Sequence, residues 1–166
     1  MKTEPIYSKK WLSPIGNLYL YSDKRNLLSL LFEGDSVDFL RHYKNYELIE
    51  ETTSVIELTI RQLQQYFAGE RKNFDLPMLL LGTDFQKKVW AELARIPFGK
   101  TISYGEQAKN MNAEKAVRAV GTANSKNPVA IIIPCHRVIS STGKIGGYAG
   151  GVVMKTKLLA LEGIKL

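Results

Sequence analysis

Ile131-Ile132-Ile133-Pro134-Cys135-His136-Arg137-Val138 is an apolar run that meets a proline and delivers the chain's only cysteine to the turn beyond it. Thiolate is the nucleophilic form of cysteine, and a neighbouring histidine or arginine lowers the thiol pKa. A lone cysteine is more often a small buried hydrophobe. That reading would hold inside the Ile run. It weakens just after Pro134, where a strand is interrupted and two side chains able to carry positive charge follow directly.

Working outward, Ser140 to Gly151 holds Gly143, Gly146, Gly147, Gly150 and Gly151 around Lys144, Ile145 and Tyr148. Such a run permits close backbone approach to a ligand and supplies amide donors, although a mobile hairpin loop fits the same composition. It lacks the spacing of a phosphate-binding P-loop. A helix follows from Val152 to Leu161, with Met154, Leu158, Leu159 and Leu161 for packing. Glu162 at its end opposes the helix dipole, which suggests a partner such as His136. Upstream, Thr83-Asp84-Phe85-Gln86 fits a capping box before an amphipathic helix carrying Phe85, Val89, Trp90, Leu93 and Ile96. Pro97 to Lys100 ends it. Ser103-Tyr104-Gly105-Glu106 is a second box, opening a short helix to about Met111. Asn112 is placed to cap a third, Ala113 to about Asn124. Two short helices joined by a tight turn suggest a helix-turn-helix. Ala116, Ala119, Gly121 and Ala123 keep the second of them slim, so that Arg118 stands out.

The N-terminal part reads as a small antiparallel meander: Ile6 to Leu12, Leu18 to Tyr21 and Leu27 to Phe32, with turns at 13–17 and 23–26. Helices are expected from Asp35 to Tyr43 and from Ser54 to Ala68, the latter with an apolar face of Val55, Leu58, Ile60, Leu63, Tyr66 and Phe67 and a stop at Gly69. The fold class is therefore α+β: a small N-terminal domain (1–75) with an antiparallel sheet and helices, a linker (76–82), and a mainly helical C-terminal domain (83–166) with a helix-turn-helix and a short hairpin. The 166 residues carry a net charge of +7. Up to Gly82 there are 10 Lys and Arg against 11 Asp and Glu, a net of −1. From Thr83 onward there are 13 against 5, a net of +8. All of the positive excess thus lies in the half that carries Cys135, as a polyanion-binding surface would require. A single cysteine forms no internal disulfide, and with only His42 and His136 there is no Cys/His zinc cluster. Met1-Lys2-Thr3-Glu4-Pro5 begins no signal-peptide pattern and no apolar stretch reaches membrane length. A soluble protein of a reducing compartment, the prokaryotic cytoplasm, is expected.

Pro134-Cys135-His136-Arg137-Val138 resembles the signature of the O6-alkylguanine-DNA alkyltransferases, or methylated-DNA–protein-cysteine methyltransferases. Ser103-Tyr104, Ala116 to Gly121, Asn127-Pro128-Val129, Gly147 to Gly151 and Leu161-Glu162-Gly163 follow in the family's order, so that the resemblance covers Thr83 to Gly163. It implies that Cys135 accepts the alkyl group, that His136 deprotonates it through a water, and that Glu162 orients the histidine. Asn127 would hold the active-site turn, and Tyr104 would donate to the purine N3. Arg118 would fill the gap left by a flipped nucleotide, with Ala119, Ser103, Tyr104 and Lys126 also against DNA. Tyr148, Val138, Ala149, Gly146 and Gly147 would wall the base pocket.

The partner implied is double-stranded DNA carrying O6-alkylguanine, with O4-alkylthymine left open as a second substrate. No cofactor, no metal and no membrane are implied. The protein would act as a monomer able to assemble cooperatively on DNA. The N-terminal zinc ligands that some members carry are missing here, Ala149 stands where a serine is frequent, and Ala130 where some members have proline. An S-alkylcysteine has no carbonyl for water to attack, so each molecule should react once. The residues alone also admit a helix-turn-helix lesion sensor or regulator without transfer, and a Cys–His hydrolase or redox protein, although a dithiol cycle lacks its second cysteine. The charge asymmetry yields a first test. Affinity for duplex DNA should fall steeply with salt, with a log–log slope of about −0.9 for each phosphate neutralised. A flat response would count against the basic half as the binding surface.

Overall fold

The computed structural model describes residues 3–35 and 37–166. Met1 and Lys2, in the segment expected to lack a signal pattern, and Ser36, expected in the first helix, lie outside them. The chain divides into two compact units after Leu81.

In the first unit, β1 (Ile6–Ser13) and β2 (Gly16–Ser22) form a hairpin closed by Pro14-Ile15, and β3 (Leu27–Phe32) lies antiparallel to β2. Alternation along β2 sends Leu18 and Leu20 to one face of the sheet and Tyr19 and Tyr21 to the other. Tyr21 and Leu31 join Ile6, Leu28 and Phe39, the last on α1 (Val37–His42), in a buried cluster. The sheet is not purely antiparallel as expected. A two-residue strand, β4 (Leu48–Ile49), pairs with β1 in parallel, giving the order β3-β2-β1-β4.

Helix α2 (Ser54–Phe67) starts where Thr53 accepts a hydrogen bond from Ile56 N, and it ends before Gly69 at φ +77°. Its buried stripe is Val55, Ile56, Thr59, Gln62, Leu63 and Tyr66, rotated from the expected one, so that Leu58, Ile60 and Phe67 are only half-buried. The polar members of the stripe are satisfied internally: Thr59 donates to Val55 O, and Gln62 exchanges two bonds with the Asp75 backbone. Part of the expected linker runs beside the sheet, where Leu27 N donates to Pro77 O and Leu79 N to Leu27 O.

The second unit begins with α3 (Asp84–Leu93). Both capping boxes form as expected, Thr83 with Gln86 and Ser103 with Glu106, the latter opening α4 (Tyr104–Asn110). Asn112 does not cap the next helix. It occupies the left-handed region at φ 54° and makes the turn itself, and a short 3-10 turn (Glu114–Ala116) leads into α5 (Val117–Ser125). Asparagine adopts that conformation more readily than most side chains. α5 is fixed on two sides: Trp90 Nε1 donates to Ala123 O at 2.9 Å, and the buried amides of Gln107 on α4 and Asn124 on α5 exchange hydrogen bonds of 2.9 and 2.7 Å. Gly121 allows close approach, since a Cβ there would lie 3.7 Å from the Tyr104 ring.

In place of the expected short hairpin, β5 (Ile102–Ser103) and β6 (Val138–Ile139) pair in parallel, and the glycine-rich stretch forms turns ahead of α6 (Val152–Leu161). Parallel pairing joins segments distant in sequence and leaves no local signature. No helix among the described residues is long and apolar enough to cross a membrane.

The Gln107–Asn124 exchange sets a stability test. Gln107→Leu strands a buried amide and should cost about 1–3 kcal/mol, whereas Gln107→Leu with Asn124→Leu should be close to neutral, because both partners are then removed. Chemical denaturation of the two variants measures the difference.

Candidate active site

The segment ahead of the cysteine is a turn, and Asn127 holds it. Its side chain accepts from Val129 N (3.0 Å) and donates to Ile133 O (2.7 Å) and to Cys135 Sγ (3.2 Å). Ile133 N bonds back to Val129 O, and Ile131 between them is forced to φ +70° while fully buried. A left-handed conformation at a β-branched residue costs about 1–2 kcal/mol. Burial of the Ile run and the bonds of Asn127 offset that strain. The thiol itself is half-buried at the start of a 3-10 turn, Cys135–Arg137.

That turn sends His136 and Arg137 inward, toward Glu162. His136 Nε2 lies 2.8 Å from Glu162 Oε1, and both side chains are fully buried. Arg137 donates Nε and Nη2 to the same carboxylate and Nη1 to Ile96 O. Gly99 N, in a loop where this glycine has φ +76°, donates to Glu162 Oε2 at 3.2 Å. Burial raises the Glu162 pKa, but the hydrogen bonds from His136 and Arg137, with the Arg137 charge, outweigh it and bring the carboxyl down to about 2. For His136 burial dominates. Its pKa is lowered in spite of Glu162, with Arg137 and Lys155 contributing in the same direction. The ring is therefore neutral near pH 7, with its proton on Nε2 facing the carboxylate. Nδ1, buried and without a hydrogen-bond partner among the described residues, keeps a lone pair.

A second buried cation supports the other side of the site. Lys155 on α6 is fully buried and donates to Val138 O (2.6 Å) and Gly147 O (3.0 Å). Burial lowers its pKa to about 8, opposed by the nearby Cys135. Tyr104, at the first position of α4, has its hydroxyl pKa raised by burial and by Cys135, which keeps it a donor.

Cys135 opens onto a pocket of about 300 Å³ lined by Tyr104, Gly121, Asn124, Ser125, Gly147, Tyr148 and Ala149. Of the five residues expected to wall it, Tyr148, Ala149 and Gly147 do. Val138 does not: it is wholly buried, tied to Ile102 in the strand pair and to Lys155 through its carbonyl. Gly146 stands back from the pocket, where a Cβ would meet Tyr104 Oη and Lys155 Nζ. Arg118 and Ala119 are exposed on α5 and Lys126 just beyond it, while the Ser103 hydroxyl is engaged as the α4 cap.

Sequence reasoning assigned Arg137 to acidifying the thiol, but the guanidinium is bound to Glu162 and Ile96 O. It also missed Lys155, although a lysine three and four residues before Leu158 and Leu159 falls on the packing face of α6. It missed the α5 wall as well. Gly121, Asn124 and Ser125 recur at three- and four-residue spacing, which puts them on one helical face.

Comparison with known proteins finds one family over both units. The family described as 6-O-methylguanine DNA methyltransferase, DNA binding domain, matches residues 84–164, and its ribonuclease-like domain matches residues 6–80. A methylated-DNA--protein-cysteine methyltransferase of Methanosarcina acetivorans is 47% identical over 161 residues, 95% of this chain and 99% of that protein. One of Mycobacterium leprae is 43% identical, over 95% of this chain and 92% of its own. A crystal structure of Mycobacterium tuberculosis OGT in complex with DNA superimposes with a TM-score of 0.84 at 42% identity, covering 94% of this chain and 92% of that one.

The buried cluster fixes the acid response of the fold. His136 is harder to protonate folded than unfolded, so stability should begin to fall as pH drops below its unfolded value of about 6.5. Glu162 contributes fully above about 4.5 and loses its contribution as pH falls toward about 2. Glu162→Gln should cost about 3–5 kcal/mol at pH 7, because it leaves Arg137 buried without its counter-charge, and should flatten the acid limb below pH 4.5. Denaturation midpoints across pH 3–8 test both.

Proposed function

The chain belongs to the 6-O-methylguanine DNA methyltransferase family, and from that membership we propose that it repairs O6-alkylguanine in duplex DNA by one irreversible transfer of the alkyl group to Cys135. The observation that carries this reading is a thiol at the wall of a base-sized pocket, bonded by Asn127 and followed by a neutral histidine locked onto a buried carboxylate.

The chemistry follows from those residues. His136 Nδ1 takes the thiol proton through a water, and Glu162 stabilises the cationic ring that results, the nucleophile–base–orienter arrangement. The Asn127 amide stabilises the thiolate as it forms. Sγ attacks the carbon on O6, the S–C bond forms as the C–O6 bond breaks, and the bonding electrons pass to the purine. The guanine so released is more basic and takes a proton at N3, supplied by Tyr104. The proton that the thiol gave to His136 returns through water to the Tyr104 phenolate, so that the thiol's proton ends on the base and the reaction balances without a cofactor. The product is a thioether, which the same residues cannot hydrolyse.

DNA would be met through α4 and α5, the basic half supplying phosphate contacts. The target base must leave the stack to reach Cys135, and Arg118, exposed on slim α5, would occupy its place from the minor groove. The first unit is assigned a structural role. A thiol that must stay reduced to act fits a reducing compartment such as the prokaryotic cytoplasm.

Intact mass after incubation with an O6-methylguanine oligonucleotide should show one methyl per chain, on Cys135, and none in Cys135→Ala. Release of more than one equivalent per chain would overturn the proposal. Arg118→Ala should lower repair in duplex by about tenfold or more while affecting reaction with free O6-benzylguanine much less. Equal losses would exclude the gap-filling role.

A further inference from the structure

The Gln107–Asn124 pair joins α4 to α5, but Asn124 also lines the pocket that Cys135 opens onto. Each carboxamide carries two donor hydrogens and two acceptor lone pairs. The exchange with Gln107 uses one of each on Asn124. One N–H and one lone pair are left over by that exchange, on a residue that lines the pocket and is only 6% exposed. Because both ends of the amide are already bonded, it cannot turn its apolar edge to an incoming group. The pocket, at about 300 Å³, sits at the small end of the range for ligand sites, so a bulky adduct on the base would have to press against this wall.

We propose that Asn124, held by Gln107, is a specificity-determining residue that makes the pocket favour polar alkyl adducts, such as hydroxyalkyl groups, over apolar adducts of the same size. The inference rests on the alkyl-transfer reading above. A hydroxyl within the adduct can use the remaining donor and acceptor of Asn124. A methyl in its place displaces water from the amide and returns no hydrogen bond, and a polar site discriminates against such a partner. A single methyl adduct is small enough to leave water beside the amide and is accepted without penalty.

The test compares O6-(2-hydroxyethyl)guanine with O6-propylguanine, each in the same duplex, by the rate at which intact mass shifts at Cys135. Both carry an unbranched carbon at the point of attack, so their chemical reactivity is similar and the wall decides the ratio. The unaltered protein should react about tenfold faster with the hydroxyethyl adduct, and equal or reversed rates would overturn the proposal. Gln107→Leu with Asn124→Leu should bring the hydroxyethyl-to-propyl ratio close to one, each rate being read relative to that variant's own rate on O6-methylguanine. A ratio preserved in that variant would remove Asn124 from the role. The comparison on the unaltered protein decides the matter even if the double variant does not fold. Absence of any mass shift with O6-methylguanine would instead be a failure of the alkyl-transfer reading itself.

Discussion

One carboxylate holds the second unit's chemistry in place. Glu162 accepts from His136, from both Nε and Nη2 of Arg137, and from Gly99 N. A carboxylate at a helix C-terminus is ordinarily disfavoured, and a buried charge more so. Two cationic or donor side chains and a backbone amide offset both costs. Such a cluster adds little stability over an apolar replacement. Its value is positional: it fixes which histidine nitrogen carries the proton, and hence which one is left with a lone pair.

Around that point the site is built by interlocking supports. Asn127 ties the strained turn at Ile131 to the thiol, and Lys155 ties β6 to the Gly147 carbonyl of the pocket wall. Gln107 and Asn124 tie the pocket wall to α4, and Trp90 ties it to α3. Each support is a buried polar side chain hydrogen-bonded to a partner on another segment, which lets polar groups confer rigidity instead of instability. Few of these residues would touch a substrate.

The local signals in the sequence were legible. The two capping boxes, the bounds of α6 and the run Leu27–Phe32 were readable because neighbours within four residues decide them. Glu162 was legible as an anomaly, since its position contradicted the dipole. The rest depended on contacts between distant segments. Arg137 follows His136 and invited a local role, but its partner is 25 positions away. Gln107 and Asn124 are polar residues on short helices, where an exposed position is the ordinary expectation, and only their mutual pairing buries them. β5 and β6 are two residues long and pair in parallel, and so are too short to show alternation. Asn112 carried a real signal with two outcomes, a cap or a left-handed turn, and the backbone took the second.

The same cluster bears on how the molecule acquires its reactivity. Glu162 meets Gly99 across 63 positions, His136 across 26 and Arg137 across 25. Contacts of such separation require long loops to close, and closure entropy places them late in folding. A partly folded chain can already display its cysteine, but the neutral histidine beside it does not exist until all three segments have met. On the proposed function, the thiol would become a selective reagent only with the completed fold, and a local opening that separates Glu162 from the loop at Gly99 would disarm it again.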